Sequence, residues 1–486
     1  MRVNADHRDS GPGRLVIRAD DPNLTPYTGL AIVGELVRRT RLVELIDAEL
    51  GVVRTARAVK RRRRGLSAGA LVVSLAECQI AGAECFDDIE DVRADRAGAP
   101  LRAVADTPSA PAARQLARRF RRSHIRAIER AQARVGEQLD RELGRNPGEA
   151  VDLDLDATET EVYGRKKRGA ARSHSGALAY NSYAVTWAQR GRALTSELMG
   201  GNKARIGAAE SAAMIARAVK LLPDGHGQVS VRGDSGFYSA QLMMGLRKQQ
   251  VRFTLSAPRT TGMWRALREI PEHAWADATE MRGAQVAETT FTPDGFTHEP
   301  LRLIVRRVAV SAAELRAGSP RARRRSTIPA DQLAIVLDGQ LDSTYAYSFI
   351  ATDIPAEQKT TVEVEHYHRQ RAQIEERFKD AKLGQPLRHL PSGDINANRL
   401  WLASCLMALN ITAIVCDTSP AAGASGAAPE GTPLRRHAKA LRQILFCVPA
   451  RITRSARQTI VHLPDGFRHL HAFQATYNAA YALGAP

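Results

Sequence analysis

The chain has 486 residues and carries 70 lysines and arginines against 52 aspartates and glutamates, a formal net charge of +18 at pH 7. Its hydrophobic fraction of 44% is ordinary for a folded protein and argues against global disorder. The five cysteines are scattered and form no Cys-x-x-Cys pair, which argues against a disulfide framework and against a structural zinc site.

The first part of the chain, residues 1–148, is predicted to be a helical, basic DNA-binding region. After an irregular leader, apolar spacing predicts helices over 30–49, 67–81 and 113–143. Seven of the eleven residues in 54–64 are basic, and arginines crowd the third helix. Basic clusters of this kind suit phosphate contacts, although a merely solvated surface has the same composition.

From about residue 151 the spacing of apolar residues changes to the pattern of a mixed α/β region. Strands are predicted at 151–158, 179–187 and 228–231, with a helix at 208–222. A β-rich stretch follows, with strands at 252–256, 286–291, 301–310, 333–337 and 345–352 around an arginine-rich loop at 316–325. Helices return at 361–382 and 395–416, ahead of a flexible linker at 418–433 and a basic C-terminal segment at 434–486.

The uncharged stretch 400–416 resembles a membrane span but is short for one and contains polar residues. We therefore predict a buried helix there and no membrane partner. The N-terminal residues carry charges throughout, which predicts no signal peptide and a cytoplasmic protein.

Three carboxylates, Asp152, Asp154 and Asp156, alternate with apolar residues on the strand predicted at 151–158. Side chains two residues apart on a strand share a face, so the three repel one another unless a positive group lies among them. A divalent metal bound by oxygen ligands would satisfy this requirement. The alternative is an edge strand whose polar face is solvated.

Two further segments carry charged residues that could bind a metal ion or a phosphate. Asp234 lies in a Gly-Asp-Ser-Gly turn directly after an apolar strand, where ordinary turn chemistry would also place an aspartate. On the helix predicted over 361–382, the residues Arg371, Glu375, Lys379 and Lys382 form one stripe. An exposed, salt-bridged helix would show the same stripe.

Together and in this order, these segments resemble the bacterial insertion-sequence DDE transposases, closest to the group-1 DDE transposase domain family. The family's Asp-x-Asp-x-Thr strand matches 154–158 and is followed by a basic stretch at 163–167. Its second acid matches Asp234, and its Tyr-x2-Arg-x3-Glu-x6-Lys helix matches Arg371, Glu375 and Lys382. His368 stands where the motif has tyrosine, with Tyr367 beside it.

The resemblance implies an α/β fold: a ribonuclease H-like mixed-sheet core, 149–253 and 354–417, interrupted by a β-rich insertion, 254–353. It implies Asp156, Asp234 and Glu375 as catalytic metal ligands, with Asp154 as a further candidate ligand on the same face. Two Mg²⁺ ions are the implied cofactors, and Mn²⁺ is expected to substitute for them. The predicted DNA contacts are Arg371, Lys382, His368, Tyr367, Lys379, Arg165, Lys166 and Lys167.

The function implied by the resemblance is cut-and-paste DNA transposition, in which phosphodiester hydrolysis excises an insertion sequence and transesterification inserts it. The implied partner is double-stranded DNA, namely the terminal inverted repeats and the target, bound by a homodimer at the nucleoid. Two alternatives use the same residues: a catalytically inactive descendant that only binds DNA, and a metal-dependent nuclease without strand transfer.

Overall fold

The protein is described by a computed structural model that covers residues 17–53, 59, 65–164, 166–173, 176–202, 206–317, 326–371, 380, 386–419 and 437–484. The strands in these ranges are β1 (Leu24–Thr25), β2 (Val151–Glu161), β3 (Ala171–Arg172), β4 (Leu178–Trp187), β5 (Arg192–Gly200), β6 (Val229–Gly233), β7 (Arg252–Ala257), β8 (Ala276–Asp277), β9 (Ala284–Phe291), β10 (Leu301–Ser311), β11 (Ser343–Thr352), β12 (Ala450–Ser455) and β13 (Gln458–His462). The α-helices are α1 (Leu30–Thr40), α2 (Leu42–Val52), α3 (Ala68–Ala81), α4 (Ile89–Ala94), α5 (Ala110–Ala117), α6 (Arg122–Glu142), α7 (Ala208–Val219), α8 (Ala240–Lys248), α9 (Thr261–Arg268), α10 (Ala312–Arg316), α11 (Ala330–Leu337), α12 (Thr361–Arg369), α13 (Ile395–Thr418), α14 (Ala438–Leu441) and α15 (Leu470–Ala482).

The strand with the three aspartates, β2, lies in the middle of a mixed sheet. It pairs antiparallel with β4 on one side and parallel with β6 on the other. Beyond these, β5 pairs antiparallel with β4 and β7 pairs parallel with β6, which gives the order β5-β4-β2-β6-β7. This is the strand order of a ribonuclease H-like core, so the predicted fold class is confirmed. The solvated edge strand considered as an alternative for β2 is wrong, because β2 has a neighbour on both sides.

The β-rich stretch extends this sheet. β11 pairs antiparallel with β7, and β10, β9 and β8 follow as an antiparallel meander. One predicted strand in this stretch, 333–337, is wrong, because those residues belong to helix α11. The helix begins directly after Pro329 and has Asp331 in its first turn, two helix-start signals that the short apolar run concealed.

The two faces of the sheet are covered by different helices. α7 and α8 pack on the face that carries Leu153 and Leu155, with Met214 and Leu246 in the same buried cluster. Helices α1, α2, α3, α6 and α13 form the larger core on the other side, where Ala184 of β4 joins them. Because Ala184 pairs with Asp156 in register, the aspartates of β2 face this larger helical side.

Helix α13 contains the uncharged stretch that resembles a membrane span. Among the described residues it is the one helix long and apolar enough to pass a membrane test, but 94% of its most apolar window is buried inside the protein. Trp401 and Met407 are fully buried against helices of the first half of the chain. The prediction of a buried helix is confirmed.

Two predicted helices are each divided in the structure. The helix predicted over 30–49 is α1 followed by α2, and the break is Arg41, which has φ 53° in the left-handed region. The helix predicted over 113–143 is α5 followed by α6. Apolar spacing continues through both breaks, which is why the sequence pattern did not reveal them.

A small antiparallel sheet joins the two ends of the chain. β1 pairs with β12, which pairs with β13. Close packing fixes this junction at Gly29, where an added Cβ would lie 1.7 Å from the carbonyl oxygen of Leu445. Only glycine therefore fits at the start of α1.

Candidate active site

The parallel register of β2 and β6 places the first two predicted acids side by side. Asp154 is paired with Arg232, and Leu155 with Gly233. The next residues along the two strands are Asp156 and Asp234. Neighbouring strands are about 4.8 Å apart. Asp234 stands directly after the carboxyl end of β6, the edge at which α/β sites gather, and Asp156 occupies the corresponding position in the interior of β2.

Asp234 is fixed by the turn that follows β6. It caps a short 3-10 helix, Ser235–Phe237, and its Oδ1 accepts a hydrogen bond from the Gly236 amide at 2.8 Å. Gly233 before it packs closely against β7, because an added Cβ would lie 2.9 Å from Cδ2 of Leu255. The half-buried carboxylate is thus held at the rim of the sheet.

Asp156 is the uppermost aspartate of β2 and is 7% exposed. Its Oδ1 accepts a hydrogen bond from the Ala157 amide at 2.8 Å. The register of β2 and β6 therefore puts Asp156 and Asp234 at corresponding positions of neighbouring strands.

Asp154, one step lower on the same face, has a different environment. Nε and Nη2 of Arg232 donate to its two oxygens at 2.6 and 2.9 Å. The residues Asp154 and Arg232 are 1% and 2% exposed, respectively. Burial raises the pKa of the Asp154 carboxyl, and the Arg232 guanidinium opposes that shift. The predicted role of Asp154 as a metal ligand is not supported, because Arg232 already neutralises this carboxylate and occupies both of its oxygens.

Arg232 is the site residue that the sequence reasoning missed. Besides holding Asp154, its Nη1 donates to the carbonyl oxygen of Tyr367 at 3.1 Å, and its guanidinium carbon lies 4.9 Å from the centre of the Tyr367 ring. The sequence offered one signal: Arg232 lies two residues before Asp234 on a strand and so faces the same side.

Tyr367 lies inside the protein and is 7% exposed. Its hydroxyl donates to Oδ1 of Asp152 at 2.7 Å, while Nε2 of Gln189 donates to Oδ2 of the same carboxylate at 2.9 Å. These contacts do not support the predicted DNA contact by Tyr367. They attach α12 to the lower end of the aspartate strand.

His368 is buried as well, against β7. Its Nδ1 lies 2.9 Å from Oγ1 of Thr254, and its Nε2 lies 2.9 Å from Oγ of Ser256. Burial, with the nearby positive charges of Arg371 and Arg232, lowers its pKa to about 3. A neutral imidazole with both nitrogens engaged is not placed to hold a DNA phosphate, so the predicted contact is not supported.

The remaining predicted DNA contacts fall into two groups. Lys166 is exposed, whereas Lys167 is half-buried and donates from Nζ to the carbonyl oxygen of Leu390. Arg371 is half-buried at the end of α12. The predicted site residues that lie outside the described residues are Glu375, Lys379, Lys382 and Arg165.

The donor set at the rim consists of carboxylate oxygens, which suit a hard cation such as Mg²⁺. Asp156 and Asp234 fit such an ion, and the predicted third ligand, Glu375, lies outside the described residues. In the part of the chain that the structure describes, no group of three His, Cys, Asp or Glu side chains is arranged to hold a metal.

The sequence was compared with protein families, curated proteins and solved structures. The family model "Transposase DDE domain group 1" matches residues 12–484. No curated protein matches the chain. A cryo-EM structure of a piggyBac transposase synaptic complex with hairpin DNA is similar, with 11% sequence identity and a TM-score of 0.41 over 86% of this chain and 79% of that chain. The family match spans nearly the whole sequence and agrees with the strand order and the paired aspartates, and the chain therefore belongs to the group-1 DDE transposase domain family.

Proposed function

We propose that this protein is a cut-and-paste DNA transposase that excises an insertion sequence and joins it to a new site. The observation that supports the proposal is the register of β2 and β6, because its continuation by one residue beyond the pair of Leu155 and Gly233 matches Asp156 with Asp234. Two carboxylates in such a position repel each other unless a cation lies between them. In a transposase, that cation would be a metal ion that assists phosphodiester cleavage.

Glu375 is the proposed third acid. The Tyr367–Asp152 hydrogen bond ties the segment that leads to Glu375 to the aspartate strand. Glu375 follows Tyr367 by eight residues, and its assignment rests on the family's motif, which it matches together with Arg371 and Lys382.

In this proposal the three acids would hold two Mg²⁺ ions, which supply charge neutralisation for attack on a phosphodiester and for the departing oxygen. The protein's own task is to orient the groups. Asp234 is fixed by its turn and Asp156 by the central strand, while Arg371 at the end of α12 would hold a DNA phosphate beside the acids. Arg232 and Asp154 form the layer below and keep the strands aligned.

The proposed partners are the two transposon ends and the target, all double-stranded DNA, in accordance with the net charge of +18. Because two ends must be cut and joined together, we propose a homodimer on the DNA. The proposed location is the nucleoid.

The test uses purified full-length protein and a supercoiled plasmid that carries a marker between the two DNA segments flanking this reading frame. With Mg²⁺ or Mn²⁺, we expect cleavage at the segment ends and transfer of the released fragment to a second plasmid. Asp234→Asn should abolish both products without changing the circular dichroism spectrum.

The outcomes separate the alternatives. Cleavage without joined product would favour a nuclease. Sequence-dependent binding with no cleavage and no carboxylate-dependent Mn²⁺ binding by calorimetry would favour an inactive DNA-binding descendant. Equal cleavage by the wild type and by Asp234→Asn would overturn the proposed site.

A further inference from the structure

A projecting hairpin lies far along the chain from the acids. We call β12, β13 and the two-residue turn between them, Ala450–His462, the C-terminal hairpin. Its base is fixed, since Ala450 and Ile452 are buried and β1 pairs with β12. Every residue of 454–460 is exposed, so the outer half of the ribbon stands clear of the protein on both faces.

The hairpin is strongly basic. The 13 residues in 450–462 include three arginines and no aspartate or glutamate. Within the described part of the chain, Arg454 and Arg457 have no carboxylate within 4 Å, whereas Arg451 lies 3.7 Å from Asp21 near the base. The two outer arginines are therefore not used to hold the fold together.

Helix α6 shows the opposite behaviour. Its arginines are what the sequence offered as a DNA-binding surface, yet Arg122 and Arg126 lie beside Glu197, and Arg130 and Arg134 lie beside Glu49. Both carboxylates are buried and satisfied by these contacts. Much of the basic character of α6 thus serves packing between elements, and the hairpin offers the less neutralised cations.

The turn of the hairpin places an arginine at its tip. Ala456 has φ 47° and Arg457 has φ 67°, the left-handed conformation of a type I′ turn that glycine and asparagine favour. Behind the turn, Arg454 and Thr459 are paired directly across the ribbon and share one face. Together with Ser455 and Gln458, the outer half carries side chains that hydrogen-bond to phosphates and base edges.

We propose that the C-terminal hairpin enters a groove of double-stranded DNA, as a DNA-reading element separate from the acidic site. A two-stranded ribbon fits the major groove, which is about 12 Å wide. Arg454 and Arg457 contact both phosphates and guanine edges, and Thr459 and Gln458 reach neighbouring bases. The inference rests on the proposed function for the identity of the partner, because the hairpin's chemistry specifies a polyanion with a groove.

The experiment measures anisotropy of a fluorescein-labelled duplex taken from the DNA flanking the reading frame, against a scrambled duplex, between 50 and 300 mM KCl (roughly the range over which phosphate contacts dominate). For R454A/R457A we expect a loss of about tenfold in affinity per arginine at 0.1 M salt. The slope of the logarithm of the binding constant against the logarithm of the salt concentration should become less steep by about 1.8. R454K/R457K should keep the slope but lose discrimination between the two duplexes, because lysine cannot make the bidentate contact.

The matched control is K220A/K248A. It removes two exposed charges beside α7 and α8, on the sheet face opposite the aspartates, and should leave the slope unchanged. Equal slopes for R454A/R457A and wild type would overturn the proposal. So would full discrimination by the lysine variant, or a changed mass in light scattering with DNA binding unaltered, which would make the hairpin a contact between copies. Metal-dependent cleavage by the wild type in the same preparation keeps the proposed function intact if the hairpin proposal fails.

Discussion

Strands β2 and β6 carry two successive pairs of charged residues with different surroundings: a lower layer of Asp154 and Arg232, and an upper layer of Asp156 and Asp234. In the lower layer, Asp154 is buried and held at both oxygens by Arg232 of the neighbouring strand. In the upper layer, two residues further along the chain on both sides, Asp234 takes the position beside Asp156 that Arg232 takes beside Asp154. The lower layer is neutral by itself, whereas the upper layer has an aspartate from each of the two chain segments.

The difference shows what a charged pair on adjacent parallel strands can do. A buried carboxylate with an arginine fixes the position of the strands and leaves no coordination site. Two carboxylates side by side weaken the fold locally and are ready to accept a cation. The first two of the following predictions separate these two uses, and the others test the buried residues of α12 beside the lower layer.

Asp156→Asn should abolish DNA cleavage and leave folding nearly unchanged. The substitution removes a charge from the upper layer, and loss of several kcal/mol of transition-state stabilisation corresponds to a rate lower by on the order of 10³-fold or more. Single-turnover cleavage of the flanking-DNA plasmid measures the rate. Cleavage within tenfold of wild type would remove Asp156 from the acidic site.

Asp154→Asn should instead reduce stability, because it leaves the guanidinium of Arg232 buried with an unsatisfied charge. We expect a loss of about 3–5 kcal/mol in the free energy of unfolding, measured by urea titration. The double variant D154L/R232M, which removes both charges, should recover much of this loss. An Asp154→Asn protein of wild-type stability that fails to cleave DNA would restore Asp154 as a ligand.

His368 should make stability depend on pH. Its pKa is lowered to about 3 in the folded protein, and an unfolded histidine titrates near 6.5. Between these values the unfolded chain binds the additional proton, so the stabilisation is complete above about pH 6.5 and is lost as the pH falls, by up to about 1.4 kcal/mol per unit. Urea midpoints from pH 7.5 to 4.5 should therefore fall more steeply for wild type than for His368→Gln.

The same variant tests the sequence-based role of His368. With the imidazole turned toward Thr254 and Ser256, His368→Gln should bind DNA at pH 7.5 within about twofold of wild type. A large loss of DNA affinity in a variant that is still folded would show that His368 contacts DNA.

Tyr367→Phe should have a small effect on stability. It removes the hydrogen bond to Asp152 but keeps the ring over Arg232, so we expect a loss of about 1 kcal/mol in unfolding free energy. Thermal denaturation measures this loss, and Gln189→Leu, which removes the other partner of Asp152, is the matched control. An effect on DNA affinity larger than that on stability would contradict an interior role.

Much of the fold could be predicted from local pattern. The strands around 151–158 and 179–187 follow from alternation, and the burial of α13 follows from its uncharged length. The helix α11 was missed because five apolar residues fit a strand or a helix equally well. The breaks at Arg41 and between α5 and α6 were missed because backbone conformation changed while the apolar spacing did not.

The candidate site divides in the same way. The spacing of three aspartates required a positive partner, and the motif order identified the family, both from the sequence alone. Which aspartate meets which partner was decided by register, since Arg232 and Asp234 come from a strand 78 residues away from their counterparts on β2. Likewise, net charge shows only that cations are in excess. Tertiary packing decided that arginines of α6 are satisfied by buried glutamates while Arg454 and Arg457 remain exposed, because a charge is neutralised by its neighbours in space and not by its neighbours in the chain.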